Sequence, residues 1–123
     1  MEKYMFLFRG SDVYQPGQPP EALEALKQKL INWVVELSQK GVHVASEPLE
    51  PTGIQVNGKK KTVLDTPFGA AREVIGGCTI VLAKDIQEAV EIAKGCPILA
   101  SDASIEIRAI QNSANVNFVN NMV

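Results

Sequence analysis

Two segments of this chain demand more cover than its helices can supply. Tyr4-Met5-Phe6-Leu7-Phe8 and Cys78-Thr79-Ile80-Val81-Leu82-Ala83 are apolar on both alternating faces, so each reads as a strand that needs burial on two sides. Two stretches have helical spacing. In the first, Leu23, Leu26, Leu30, Val34 and Leu37 repeat along one stripe, with Pro19 and Pro20 before them and Gly41 after, which are start and stop signals for a helix. About twenty residues at roughly 1.5 Å each reach about 30 Å, the width of a small domain, so this helix must lie across the sheet. In the second, Ile86, Ala89, Val90 and Ala93 form the stripe. Asp85 and Glu88 have capping-box spacing at its start, and Gly95 ends it before Pro97.

The other segments complete the pattern. Val42-His43-Val44-Ala45 restarts the chain as a strand, and Pro48 and Pro51 keep its far end out of a central position. Asn57-Gly58 is the preferred pair for a two-residue type I′ turn, joining Ile54-Gln55-Val56 to an arm that carries Lys59, Lys60 and Lys61 and ends in Val63-Leu64. The lysines read as solvated edge residues. Residues 104–110 set Ile105, Ile107 and Ala109 against Ser104, Glu106 and Arg108, the alternation of a more exposed strand. The order strand, helix, strand, hairpin, strand, helix, strand predicts an α+β fold with both helices on one face of an antiparallel sheet. The opposite face would then expose more apolar surface than a monomer tolerates. A second copy packed sheet to sheet, in a barrel-like homodimer, covers it. The alternative lid, made of the hairpin and the tail, is rich in lysine and asparagine and covers it poorly.

The 123 residues make one domain, expected over residues 1–110 with an Asn-rich tail over 111–123. A formal charge of −2 gives no electrostatic reason to bind nucleic acid or anionic membranes. No apolar run approaches the roughly 18 residues needed to span a bilayer, and the start MEKYMFLFRG lacks the pattern of a signal peptide. A cytoplasmic location is expected. Cys78 and Cys96 have no neighbouring Cys or His to complete a metal site, so they read as buried free thiols, with a disulfide as the second reading. With no GxGxxG, P-loop, HExxH or GxSxG motif, neither a metal nor a cofactor is expected.

Residues 65–78, DTPFGAAREVIGGC, resemble the D-G-P-F-x-E-x-K-E-x-x-G-G-Y signature of the YCII-related, or DGPF, family. KYMFLFRG is similar to that family's first strand, and Gly41 to Leu49 followed by Pro51 to its G-V-x-x-x-x-x-L-x-P segment. AKDIQEAVEIAKGCP resembles its second helix, and Ile105-Glu106-Ile107-Arg108-Ala109-Ile110 its closing I-E-V-R-P-I. The resemblance implies a ferredoxin-like antiparallel sheet with two helices on one face, forming a dimeric α/β barrel. It implies little about chemistry, since most members have no established activity and some occur beside alternative sigma factors. It assigns Asp65, Pro67 and Phe68 to the signature loop, Arg72 and Glu73 to its basic-acidic pair, and Gly76 and Gly77 to its double glycine. Thr66 stands in place of Gly, Ala70 in place of Glu and Cys78 in place of an aromatic. The missing Glu weakens an enzymatic reading.

Each candidate site residue has a functional and a structural reading. Asp65 and His43 are the catalytic candidates. Asp65 is either a general base at the barrel mouth or an Asx-turn former. His43, the chain's one histidine, is either a proton shuttle or a packed, hydrogen-bonded strand residue. Arg9, Thr66, Phe68, Arg72 and Glu73 are the ligand-binding candidates. Phe68 either floors a pocket or plugs its loop to the core, and Arg72 and Glu73 either orient a carboxylate-bearing ligand or pair with neighbours. Arg9, at the end of a buried strand, either forms an anion site in the barrel lumen or pairs internally with a carboxylate or carbonyl, for which Glu47 and Asp12 are candidates. Two functions follow from these readings. One is a homodimeric small-molecule binding protein with weak acid-base catalysis in the barrel interior. The other is a non-catalytic regulatory or protein-interaction module.

Overall fold

The computed structural model describes residues 1–10, 19–50, 52–65 and 74–111. Their order is β1 (Glu2–Arg9), α1 (Pro20–Gln39), β2 (His43–Pro48), β3 (Ile54–Asn57), β4 (Thr62–Asp65), β5 (Ile75–Ala83), α2 (Ile86–Lys94) and β6 (Ser104–Ala109). A short 3₁₀ turn over Pro97–Ala100 follows α2. Four strands form one sheet in the order β2-β5-β1-β6, and every neighbouring pair is antiparallel. The two apolar strands are therefore the central ones. Each helix joins two strands that have a third inserted between them, which is the ferredoxin-like arrangement.

Both helices cover the same face. Tyr4, Phe6, Val81 and Ala83 point into a buried cluster with Trp33 and Leu37 of α1, Ala89 and Ala93 of α2, and Ile98. Trp33 completes the expected α1 stripe: its ring stacks on Phe6 at 6.4 Å and meets Phe8 edge-on at 6.5 Å. On α2 the stripe is narrower than expected, because Ile86 stays exposed at the first position of the helix while Ala89 and Ala93 are buried. Small residues there let α2 lie close to the sheet. The caps follow the chemistry of the sequence. Asp85 accepts a hydrogen bond from the Glu88 backbone N–H at 2.9 Å, while the Glu88 carboxylate accepts from the backbone N–H of Lys84 rather than of Asp85. At the end of α1, Gly41 takes φ +75 and Val42 donates to the Leu37 carbonyl, closing the helix with a left-handed residue that glycine adopts without strain.

The β3–β4 hairpin closes differently from the two-residue turn expected at Asn57-Gly58. Asn57 pairs with Thr62, and Lys61 donates to the Gly58 carbonyl, so all three lysines lie in or beside a longer turn. This register sets Val56 opposite Val63, whereas a turn at 57–58 would set Val56 opposite Lys59. The apolar cross-strand pair decides it.

On the other face of the sheet, Met5, Leu7, Cys78, Ile80 and Leu82 form a half-buried apolar field. Among the described residues, no helix is long and apolar enough to cross a membrane. Cys96 sits in the core below α2, and burial pushes its thiol up from 9.0 to about 11, partly offset by a backbone hydrogen bond with Ile98. The unfolded thiol ionises first, so its protonated burial contributes stability fully below pH 9 and loses that contribution as pH rises towards 11. Thermal unfolding across that range should show a falling midpoint, with a shallower fall in Cys96→Ala; equal slopes in the two proteins would contradict the assignment.

Candidate functional site

The strand register sorts the candidate residues by face. Phe6, on the helix side, pairs with Thr79, and Thr79 pairs in turn with Ser46 of β2. His43 pairs with Val81, so it belongs to the same side, and a register shift between His43 and Ala45 brings its ring towards Ser46. The three side chains are joined. His43 Nε2 lies 2.9 Å from Ser46 Oγ, which lies 2.9 Å from Thr79 Oγ1. Thr79 is buried, and His43 and Ser46 are half-buried.

This hydroxyl pair opens onto a cleft of about 560 Å³ between α1 and the β2–β5 edge. Phe8, Leu30, Trp33, Val34 and Ile98 form its apolar walls, Gly77 and Pro48 its sheet-side end, and Lys27 and Glu47 are its charged residues among those described. Gly77 is what brings the strands together here. At φ +154, an added Cβ would lie 2.7 Å from the Glu47 carbonyl oxygen, closer than atoms of a side chain and a backbone can sit. Glycine alone lets β2 approach β5 closely at this end.

Arg9 lies on the face opposite the helices, with Leu7 and Met5. Among the described residues it forms an ion pair with Glu106 of β6, 3.2 Å away, and none with Glu47; Asp12 lies outside the described residues. Strand pairing explains this, because Glu106 stands opposite Leu7 on β1 and one diagonal step from Arg9. Arg108 also reaches Glu106, at 3.2 Å. The Arg108 hydrogen bond, joined by the charge and hydrogen bond of Arg9, holds the Glu106 carboxyl below its ordinary value of 4.5.

His43 and Arg9 thus sit on opposite faces of one sheet and do not share a chamber. Asp65 ends β4, exposed and opposite Ile54 on the separate hairpin. Thr66, Phe68, Arg72 and Glu73 lie outside the described residues. Ser46 and Thr79 do not stand out in the sequence. The available signal is one hydroxyl residue inside each of two apolar strands, but their pairing depends on the β2 irregularity, which the sequence pattern does not reveal. Trp33 is likewise hidden there, as one member of an ordinary helical stripe.

The ordering of Glu106 has a direct readout. A carboxyl held below its ordinary value contributes stability above pH 4.5 and loses it as pH falls through the folded value. An NMR titration should show Glu106 titrating below its ordinary value in the native protein and moving up in Arg108→Ala. An unchanged titration would mean that the Arg108 contact is not maintained in solution.

The model of the YCII-related domain matches residues 3–113. Among solved structures, the chain is similar to a 5-chloro-2-hydroxyhydroquinone dehydrochlorinase from Burkholderia phenoliruptrix in complex with 2,5-dihydroxybenzoquinone. The match has a TM-score of 0.51 and 10% identity, and covers 90% of this chain and 96% of that one. At that identity the likeness is one of fold. No curated protein matches the sequence.

Proposed function

Because the chain belongs to the YCII-related domain family, we propose that it is a homodimeric small-molecule binding protein whose ligand occupies the cleft beside α1, with a modest acid-base activity at His43. The observation that carries this reading is the cleft itself. It has the size of a small-molecule site, aromatic and aliphatic walls, and a hydroxyl pair at one point, the usual composition of pockets that bind mostly apolar ligands. The small organic ligand of the structural neighbour is of a size that such a space accommodates. This reading seats the ligand on the helix side of the sheet, where the cleft lies.

Trp33 is the chain's one tryptophan and lines the cleft, so its fluorescence reports occupancy. Titration with 4-nitroanisole, a flat apolar probe, should quench it saturably, and Val34→Phe, which fills the wall, should weaken binding by about tenfold, or roughly 1.4 kcal/mol. Quenching that never saturates and is indifferent to Val34→Phe would remove the reading.

The dimer is supported by the face opposite the helices, where Met5, Leu7, Cys78, Ile80 and Leu82 form an apolar field that no described helix covers. A second reading, the non-catalytic interaction module, draws on the hairpin. Ile54, Val56 and Val63 share one of its faces and are 69%, 63% and 61% exposed. Light scattering should return twice 13.3 kDa for the native chain and the single mass for Ile80→Lys. If Ile80→Lys stays dimeric while Val56→Ser with Val63→Ser dissociates, the contact surface belongs to the hairpin. A native particle of 13.3 kDa would exclude both dimers.

A further inference from the structure

We propose that Thr79, Ser46 and His43 form a proton relay leading from the cleft to the sheet edge, and that the ligand is a flat ring carrying an ionisable hydroxyl. The proposal rests on the cleft reading above and goes further by naming the chemistry of the ligand and the route of its proton. Thr79 Oγ1, Ser46 Oγ and His43 Nε2 are linked by two contacts of 2.9 Å. Ser46 and Thr79 line the cleft and His43 does not. The row therefore has one end at the ligand and the other at a half-buried histidine on the edge strand.

A hydroxyl both donates and accepts, so a row of two can pass a proton without moving a heavy atom, whereas an apolar wall cannot. With the ring proton of His43 on Nδ1, Nε2 is an acceptor. The ligand O–H then gives its proton to Thr79 Oγ1 as Thr79 gives its own to Ser46 Oγ, and Ser46 gives its own to His43 Nε2. One O–H bond breaks and one N–H bond forms, leaving a ligand oxyanion and an imidazolium that returns its proton to water through Nδ1. Thr79 is the group that touches the ligand. Ser46 and His43 act through it. The walls select the rest of the molecule: Trp33 and Phe8 offer ring surfaces, and Leu30, Val34 and Ile98 aliphatic ones. A ligand with several charges would leave them unpaired against these walls.

The test compares 4-nitrophenol, whose ionised form has its own absorbance band, with 4-nitroanisole, its O-methyl ether. Native protein should bind 4-nitrophenol about tenfold more tightly than the ether, with a larger ionised fraction than in free solution at the same pH. Ser46→Ala should bring the affinity ratio close to one and return the ionised fraction to that of free probe. His43→Gln keeps a hydrogen-bonding group at that position, and should lose the excess ionisation while retaining part of the affinity ratio. A merely structural role would leave the ionised fraction unmoved. Equal affinity for the two probes, or a Ser46→Ala protein that still ionises bound 4-nitrophenol, overturns the relay and leaves the cleft standing. If 4-nitroanisole itself fails to bind the native protein, the cleft reading falls and takes the relay with it.

Discussion

Trp33 is the contact on which the remaining architecture depends. Its ring lies against Phe6 and Phe8 of the central strand β1, and so holds the C-terminal half of a 20-residue helix against the sheet. Farther towards the N-terminus of α1, the helix-side residues Leu23, Leu26 and Leu30 are only half-buried. The cleft opens along this stretch of α1, against β2 and the start of β5, and Trp33 is at once the anchor of the helix and a wall of the space beside it. Aromatic area buried at one point of a long helix stabilises the contact there without closing its full length onto the sheet. Core formation and cavity formation are thus two results of one side chain.

The opposite wall depends on a backbone contact. Gly77 lets the Glu47 carbonyl come closer than any Cβ would allow, drawing the edge strand in against β5. Farther along, the irregularity at His43 adds a residue to β2, and the imidazole then reaches Ser46. Without that extra residue, the strict alternation of a strand would place residues 43 and 46 on opposite faces. A local departure from regular pairing therefore assembles the three polar side chains. The buried Thr79 hydroxyl finds its partner within the same row, so the polar wall costs the core no unsatisfied group.

The sheet separates two kinds of chemistry. On the helix side are neutral hydroxyls and an imidazole beside an apolar space. On the side away from the helices, Arg9, Glu106 and Arg108 form a charged group at the edge of an apolar field. Partly exposed pairs of this kind contribute little to stability. The projecting hairpin adds a second apolar surface of its own.

The sequence by itself determined the number, order and type of the main elements, because strand and helix periods differ and helix limits such as Pro19, Pro20 and Gly41 are local signals. It also determined that the two central strands need cover on both sides, since alternation assigns every second residue to each face. Only the tertiary structure decided which polar residues meet. Arg9 finds Glu106, 97 residues away, and Ser46 finds Thr79, 33 residues away, because strand order and register bring them together. The two-residue turn expected at Asn57-Gly58 is absent for the same reason: a favourable local turn lost to the pairing of Val56 with Val63. Periodicity records which face a residue occupies along its own strand, but not which neighbour stands across from it, and the site consists of those neighbours.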